Sequence, residues 1–354
     1  LVGVTLMIGS FRRTVEIWID STLAADVYVT TESWSRARQT ATLDPALVER
    51  LARHDGVEAV DRLRQFFGYS GSRRISLVGV DMTIPAERAR FELIDGDLDQ
   101  ALRRAVADGA VIVSEPLARK AGLAPGDELP VQTGSGEVRL PIVGVSYDYS
   151  NESGGAAMHL ATMERLFGPG PINNVALYLA PGVDPARTID GLRSSFAELP
   201  LVIRSNAEIR DQVFRIFDQT FAVTRLLQLM SLAIAACGIT LTLIVLARER
   251  ISELALYRAL GASRAQIFRV FLGKGLGIAL FGTMLGALGG LGLALILILR
   301  VNRAYFGWTI AVHWPIAELI EEAATILLAA LLASLYPALR ASRTPATELT
   351  RENL

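Results

Sequence analysis

The period of the apolar positions changes along this chain, and each change marks a different kind of element. Phe11, Val15, Trp18 and Ile19 recur at i, i+4, i+7 and i+8 among charged neighbours, which is the stripe of an amphipathic helix. Residues 1–25 are predicted as one helix, with Trp18 either at a membrane interface or packed on a partner helix. From Asp26 the period falls to two. Asp26–Thr31 and Val57–Leu63 read as strands around a helix opened by Asp44-Pro45, an N-cap followed by proline at the first helical position. Leu47, Val48 and Leu51 fall on one face of that helix. The same order returns later: strand Val175–Leu179, a helix opened by Asp184-Pro185 and bearing Ile189, Leu192 and Phe196, then strand Leu199–Arg204. Two β-α-β units therefore flank an insertion, which predicts a split α+β subdomain assembled from both ends.

The insertion, Gly68–Pro171, reads as a second, mainly β subdomain. Ile75–Val80, Ala110–Ser114, Glu128–Thr133 and Val138–Val145 have strand character, and Thr133–Glu137 (TGSGE) joins the last two as a hairpin. Glu115–Ala121 is a short helix closed by Gly122. Asp95, Asp97 and Asp99 alternate on a predicted loop, as a solvated turn or a weak calcium candidate.

Beyond Asn206 the helical period resumes, with Ile209, Val213, Ile216, Phe217 and Thr220 on one side and Asp211, Arg215 and Asp218 elsewhere. The sequence then passes without proline or glycine into Leu226–Ala247, long enough to cross a bilayer at about 20 residues per span. Gly275–Leu299 is a second such run and Ala323–Leu339 a shorter third, with Pro337 near its end predicting a kink. The stripes of residues 11–19 and 206–225 suit one another. They predict a paired stalk in which Val15 and Ile19 meet Ile209, Val213 and Ile216. Between the first two runs lies the basic segment Arg248–Lys274, placed in the cytoplasm by the positive-inside rule. There Gly261 ends one helix, and Ser263 with Gln266 forms a capping box for the next. A plain inter-span turn would need no more than this. Ala279, Gly282, Gly286 and Gly290 repeat at three- and four-residue spacing, a face for close helix packing within the chain or against another subunit. Arg300–Glu322 reads as an outer loop whose Tyr305, Phe306, Trp308 and Trp314 have the composition of an aromatic belt.

Composition agrees with a part-membrane protein. The 354 residues are 51% hydrophobic yet 20% charged, and mean hydropathy is +0.37. The net charge of −1 gives no sign of a nucleic-acid partner. Cys237 is the single cysteine, so no intrachain disulfide exists. Leu1–Phe11 is about half a span, is not preceded by methionine, and is followed rather than preceded by Arg12 and Arg13. It reads as the tail of a transmembrane helix in a fragment of a larger protein.

Enzyme chemistry finds little support. His54, His159 and His313 are scattered, and there is no nucleophile elbow, phosphate loop or dinucleotide fingerprint. Leu272–Gly277 (LGKGLG) follows no strand and has no Ser or Thr after its lysine. No ionisable residue lies inside the three runs, which argues against an ion or proton relay. No catalytic, cofactor or metal residue is expected.

Two stretches carry a family resemblance. Arg248–Ile267, RERISELALYRALGASRAQI, resembles the segment after the second span of FtsX-like permeases, and Tyr336–Leu349, YPALRASRTPATEL, resembles that family's closing motif. The soluble region, with VIVSEPLARKAGLAPGDELPV, resembles a MacB-type periplasmic core domain. The resemblance implies a membrane protein: an α-helical transmembrane bundle plus an extracytoplasmic α+β domain of two subdomains on a helical stalk. The divisions would be 1–25 (truncated span and stalk), 26–205 (core domain), 206–225 (second stalk helix) and 226–354 (membrane domain). It further implies an ABC transporter permease of the bacterial inner membrane, working with a separate cytoplasmic ATPase that holds the ATP and Mg. Arg248, Glu249, Glu253, Arg258, Gly261, Ala262 and Ser263 would couple to that ATPase. Ten-span members carry two copies of this unit, and VGVTLMIGSFRRTVEIWI resembles the opening of a second copy. The partner would then be a second permease copy or an N-terminal half, with a periplasmic protein as a further candidate. Three functions are open: export or extraction of a lipoprotein or other amphiphile; mechanotransmission to an extracytoplasmic hydrolase or sensor without transport; and a tethered binding domain with no ATPase.

Overall fold

The computed structural model describes residues 1–31, 42–151, 153–305, 307 and 309–343. The chain divides into two compact units. One comprises residues 13–216 with 301–310; the other comprises 1–12, 217–300 and 311 onward.

The first unit is built on a nine-stranded sheet among the described residues, in the order β5-β6-β4-β7-β3-β2-β8-β1-β9. Its first half is the predicted split unit: β1 (Val27–Thr31), α2 (Pro45–Ala52), the start of β2 (Val57–Ser70), then β8 (Asn174–Leu179), α6 (Pro185–Ser195) and β9 (Leu201–Ser205). All four strands pair antiparallel, with β1 between β8 and β9 and with β2 on the far side of β8. This is the β-α-β-β-α-β arrangement. Both Asp-Pro signals act as predicted. Asp44 accepts from the Ala46 N–H at 2.8 Å and Asp184 from the Ala186 N–H at 3.0 Å. Alternation sorts the side chains. Val27 and Val29 are fully buried with Leu51, Leu177 and Leu192 under the two helices, whereas Tyr28 joins Ala176 and Tyr178 on the opposite face.

Strand β2 links the two subdomains. Residues 57–63 pair with β8, and Arg64–Ser70 pair with β3 (Arg73–Val80). The sequence pattern predicts only the first part, because Arg64 and Gln65 interrupt the apolar alternation. Both have specific partners: Arg64 donates to the Gly168 carbonyl at 2.6 Å, and Asn173 accepts from the Gln65 N–H at 2.7 Å.

The insertion is mainly β, with more helix than the one short segment expected. Beside β4 (Val111–Ser114), β5 (Glu128–Thr133), β6 (Gly136–Ser146) and β7 (Gly155–His159) it carries α3 (Leu98–Ala107), α4 (Glu115–Ala121) and α5 (Leu160–Phe167). Helix α3 corrects the acidic-loop reading. Asp97 is its N-cap, accepting from the Gln100 N–H at 3.2 Å, and Asp99 lies in the first turn, where the helix dipole favours it. Strand β7 escapes a pattern reading because Gly155-Ala156-Ala157 is small instead of alternating. A Cβ on Gly155 would stand 2.8 Å from the Ser76 carbonyl, so the close strand approach requires glycine there.

Helix α1 (Val2–Thr22) and helix α7 (Asn206–Glu249) each run unbroken. At 1.5 Å per residue the 44 residues of α7 extend about 66 Å, more than the roughly 30 Å of a bilayer core. In the second unit follow α8 (Ile251–Ala259), α9 (Arg264–Ile296) and α10 (Ile316–Ser342). Two helical stretches, Asn206–Glu249 and Arg264–Tyr305, are long and apolar enough to cross a membrane. Ile234 and Leu288 are each 70% exposed on them, apolar surface that suits hydrocarbon rather than water. The predicted outer loop is shorter than Arg300–Glu322: a π-helical stretch, Leu297–Asn302, prolongs α9, and α10 already starts at Ile316. Tyr305 and Trp314 are exposed; Phe306 and Trp308 of the expected aromatic belt lie outside the described residues. Pro337 lies inside α10.

Candidate functional site

The basic segment forms a short helix of its own. Helix α7 ends at Glu249, Arg250 breaks the helical geometry (φ −109°, ψ 27°), and α8 occupies Ile251–Ala259. Gly261, at φ 96°, turns the chain after α8 in a conformation that side chains with a Cβ avoid. Ser263 then caps α9, accepting from the Gln266 N–H at 3.2 Å while the Gln266 side chain accepts from the Ser263 N–H at 2.7 Å. Arg258 folds back to donate to the Ala262 carbonyl at 2.8 Å. Thus Arg258, Gly261, Ala262 and Ser263 build the turn, whereas Arg248, Glu249 and Glu253 are exposed. Glu253 is not free, since Arg250 donates to it at 2.6 Å.

One face of α8 is anchored: Leu254 and Ala255 are buried, Leu254 beside Leu243, Ile267 and Phe271. The opposite face presents Tyr257 at 53% and Leu260 at 77% exposure, with Leu256 beside them. The sequence reading passed over these three because they lie among charges in a segment selected for charge. Their periodicity alone does not tell an inward face from an outward one.

The small-residue face divides. Ala279 is buried, and Gly290 meets Gly3 of α1 so closely that a Cβ on Gly3 would fall 2.3 Å from the Gly290 carbonyl oxygen. Gly282 and Gly286 have no side-chain or foreign backbone atom within 4 Å of a built Cβ, so they are not packing positions within the described residues. The reason is rotational. Contact follows the side of α9 turned to α1 and α10, which at Gly275 brings in Ser334 instead. Nearby, Thr5 donates to Glu322 at 2.9 Å and Gln228 reaches the same carboxylate at 3.4 Å, joining α1, α7 and α10.

The stalk positions also divide. Ile19 is 2% exposed, and Val15 and Val213 are half-buried. In the sheet-bearing unit, Ile209 packs beside Tyr28 and Tyr178, Asn206 donates to the Leu23 and Ala25 carbonyls, and Arg210 pairs with Asp20. Ile216 is 55% exposed and leaves the stripe. The stripe follows the i+4 row from Ile209 through Val213 to Phe217. In the membrane-helix unit Phe11 meets the Phe217 ring at 5.7 Å and the Phe221 ring at 6.3 Å, and Arg12 pairs with Asp218 at 3.0 Å. Trp18 is half-buried and lines a cavity of the sheet-bearing unit.

A further cluster had no sequence signal. Glu115, 1% exposed at the first position of α4, accepts from Arg119 Nε at 2.8 Å, from Tyr149 at 3.3 Å and from Thr309. Burial, then the Glu115 charge, pushes the Tyr149 phenol well above its ordinary range.

Residues 1–195 match the family model for the MacB-like periplasmic core domain, and residues 225–346 match that for the FtsX-like permease C-terminal region. A protein of Mycobacterium tuberculosis (strain ATCC 25618 / H37Rv), described as an uncharacterized ABC transporter permease, is 30% identical over 357 aligned positions. The alignment covers 99% of this chain and 42% of that relative. Among solved structures, the periplasmic region of MacB from Actinobacillus actinomycetemcomitans aligns with TM-score 0.40 and 14% identity, over 55% of this chain and 95% of that one. The extracellular domain of the ABC-type transporter YknZ from Gram-positive bacteria aligns with TM-score 0.34 and 15% identity, over 51% and 98%.

Proposed function

The chain belongs to the FtsX-like ABC transporter permeases that carry a MacB-like periplasmic core domain, and on that premise we propose that α8 docks a separate cytoplasmic ATPase. The observation that carries this reading is the two-faced character of α8. One face is anchored by Leu254 and Ala255, while Leu256, Tyr257 and Leu260 stand exposed on the other among the described residues. An exposed apolar patch rimmed by Arg248, Glu249 and Glu253 has the composition of a protein-docking surface. The turn of Arg258, Gly261, Ala262 and Ser263 fixes where that patch points.

In this reading ATP and Mg are bound by the partner, and this chain hydrolyses nothing. Closure of the ATPase displaces α8, and the unbroken α7 carries the displacement along its length. A continuous helix transmits motion because its backbone hydrogen bonds are closed within the element, and a mid-helix proline costing about 3 kcal/mol would interrupt it. A second FtsX-like unit, as another copy or another part of a longer protein, would complete the assembly in the bacterial inner membrane. The work is export or extraction of a lipoprotein or another amphiphilic substrate on the extracytoplasmic side. A periplasmic protein is a candidate acceptor.

The test is ATP turnover by the ATPase with and without this permease in nanodiscs. Leu260→Asp and Glu253→Lys should each remove the permease-dependent part of turnover while the soluble domain melts unchanged. Full stimulation by a folded Leu260→Asp protein would overturn the docking assignment.

A further inference from the structure

A cavity of about 830 Å³ lies within the soluble domain, inside the range of small-molecule sites. Its floor is a row of cross-strand neighbours: Gln65 of β2 faces Val78 of β3, Val78 faces Ala157 of β7, and Ala157 faces Ile112 of β4. The floor is hollow at Ala157, which stands between the larger Val78 and Ile112, and it continues over Gly155, whose partner on β3 is Ser76. Around it stand Trp18 of α1, Phe91 and Tyr147.

Beside hydroxyls and amides that donate or accept, the lining carries three donor-only side chains, Arg74, Arg90 and Trp18. Arg74, exposed on β3, stacks its guanidinium over Phe67 at 4.1 Å from the ring centroid. Arg90, buried deeper, has Asp61 2.6 Å from its Nε, while its Nη2 is buried with no hydrogen-bond acceptor among the described residues. The Trp18 indole Nε1 is likewise buried without an acceptor among them. Among the described residues the acidic member of the lining is Asp148, which accepts from the Ser150 N–H at 3.0 Å. An apolar and aromatic pocket with surplus donors is complementary to a ligand having an apolar body and an oxyanion head.

We propose that this cavity binds an acidic amphiphile, a carboxylate or phosphate head on an apolar chain, with Arg74 at its head and the row of Val78, Ala157 and Ile112 under its chain. The proposal names the cargo class for the transport reading and depends on it only for the ligand being cargo. Binding itself needs no ATPase.

The experiment uses the full chain in nanodiscs with Trp34, Trp308 and Trp314 changed to Phe, so that Trp18 is the only emitter. Three probes are titrated: dibrominated stearate, a brominated lysophosphatidylglycerol, and a brominated monoacylglycerol without charge. The expected result is saturable quenching of Trp18 by the acidic probes, at least tenfold tighter than by the neutral one. The tighter of the two acids identifies the head as carboxylate or phosphate. Ala157→Leu should fill the floor and remove the saturable phase. Arg74→Gln, an exposed change that leaves the core intact, should weaken the acids about tenfold and leave the neutral probe unaffected. Absence of saturable quenching, or acid quenching unchanged in both variants, overturns the proposal. Since no ATPase is present, that failure leaves the α8 docking test standing, and loss of ATPase stimulation leaves this binding untouched.

Discussion

Thr309 gives the buried carboxylate of Glu115 two hydrogen bonds, from its backbone N–H at 2.9 Å and from its hydroxyl, although 194 positions separate the two residues. Arg119 and Tyr149 complete the ring: Arg119 also donates to the Thr309 hydroxyl, and the single Tyr149 O–H is shared between Glu115 and the Thr309 carbonyl. Gly307 lies against Pro116 in the same contact, where a Cβ would meet the Pro116 Cα at 3.3 Å. Gly307 and Thr309 are thus held against α4.

A buried acceptor with several donors is costly to remove, because each donor loses its partner without regaining water. Thr309→Val keeps the shape and the backbone bond, and should lower stability by about 1–3 kcal/mol. Glu115→Ala should cost more, since Arg119, Tyr149 and Thr309 are then all left short. Thermal melting of the full-length protein in nanodiscs reads both; equal, near-zero shifts would show that the clasp contributes nothing.

The helix contacts predict an asymmetry among glycines that look alike in sequence. Gly275→Leu and Gly3→Leu should disrupt the packing of the membrane helices, since a Cβ at these positions meets Ser334 or the Gly290 backbone. Gly282→Leu and Gly286→Leu should leave the isolated chain folded, for nothing among the described residues stands within 4 Å of a Cβ at either position. Yield of monodisperse protein after gentle-detergent extraction separates the two pairs. Loss of assembly with preserved folding in the second pair would assign that side of α9 to another subunit.

At the turn after α8, Ser263→Ala removes one half of the capping box and should cost about 1 kcal/mol. Gly261→Pro should do more damage, because proline cannot adopt φ 96°. Hydrogen exchange of the α8 amides is the readout. Protection in Gly261→Pro equal to wild type would mean that the turn does not set the position of α8.

Tyr178 predicts a response to alkali. Burial raises its phenol from 10.0 to about 12, with the Arg90 charge opposing and the Asp61 charge adding to the shift; its hydroxyl donates to the Arg88 carbonyl at 2.8 Å. The folded state therefore holds this proton more tightly than the unfolded state. Its contribution is fully present below pH about 10 and is lost as pH rises through about 12. Tyr178→Phe should lower stability at neutral pH by about 1 kcal/mol and flatten the fall between those limits. Unfolding followed by circular dichroism from pH 8 upward checks the slope.

Much of the architecture is legible in the residues because it rests on local rules. The Asp-Pro caps at Asp44 and Asp184, the left-handed Gly122 and Gly261, and the Ser263 box act through neighbours within four positions, so spacing alone specifies them. The two long apolar stretches are equally plain, since length and composition decide whether a helix suits a bilayer. What spacing does not contain is rotation and distant pairing. Ile216 and Phe217 both satisfy a helical stripe, and only packing buries Phe217 and leaves Ile216 out. Gly282 and Gly290 share one repeat, but only Gly290 meets another backbone. Strand β7 forms because its small residues fit between β3 and β4, a condition written on those strands and not on its own. The same smallness hollows the floor at Ala157, and the Glu115–Thr309 clasp joins residues with no local relation at all. The sequence determined the locally capped helices, the alternating strands and the two stretches long and apolar enough to cross a membrane. Tertiary structure alone decided which faces are filled, because burial depends on residues brought from elsewhere in the chain.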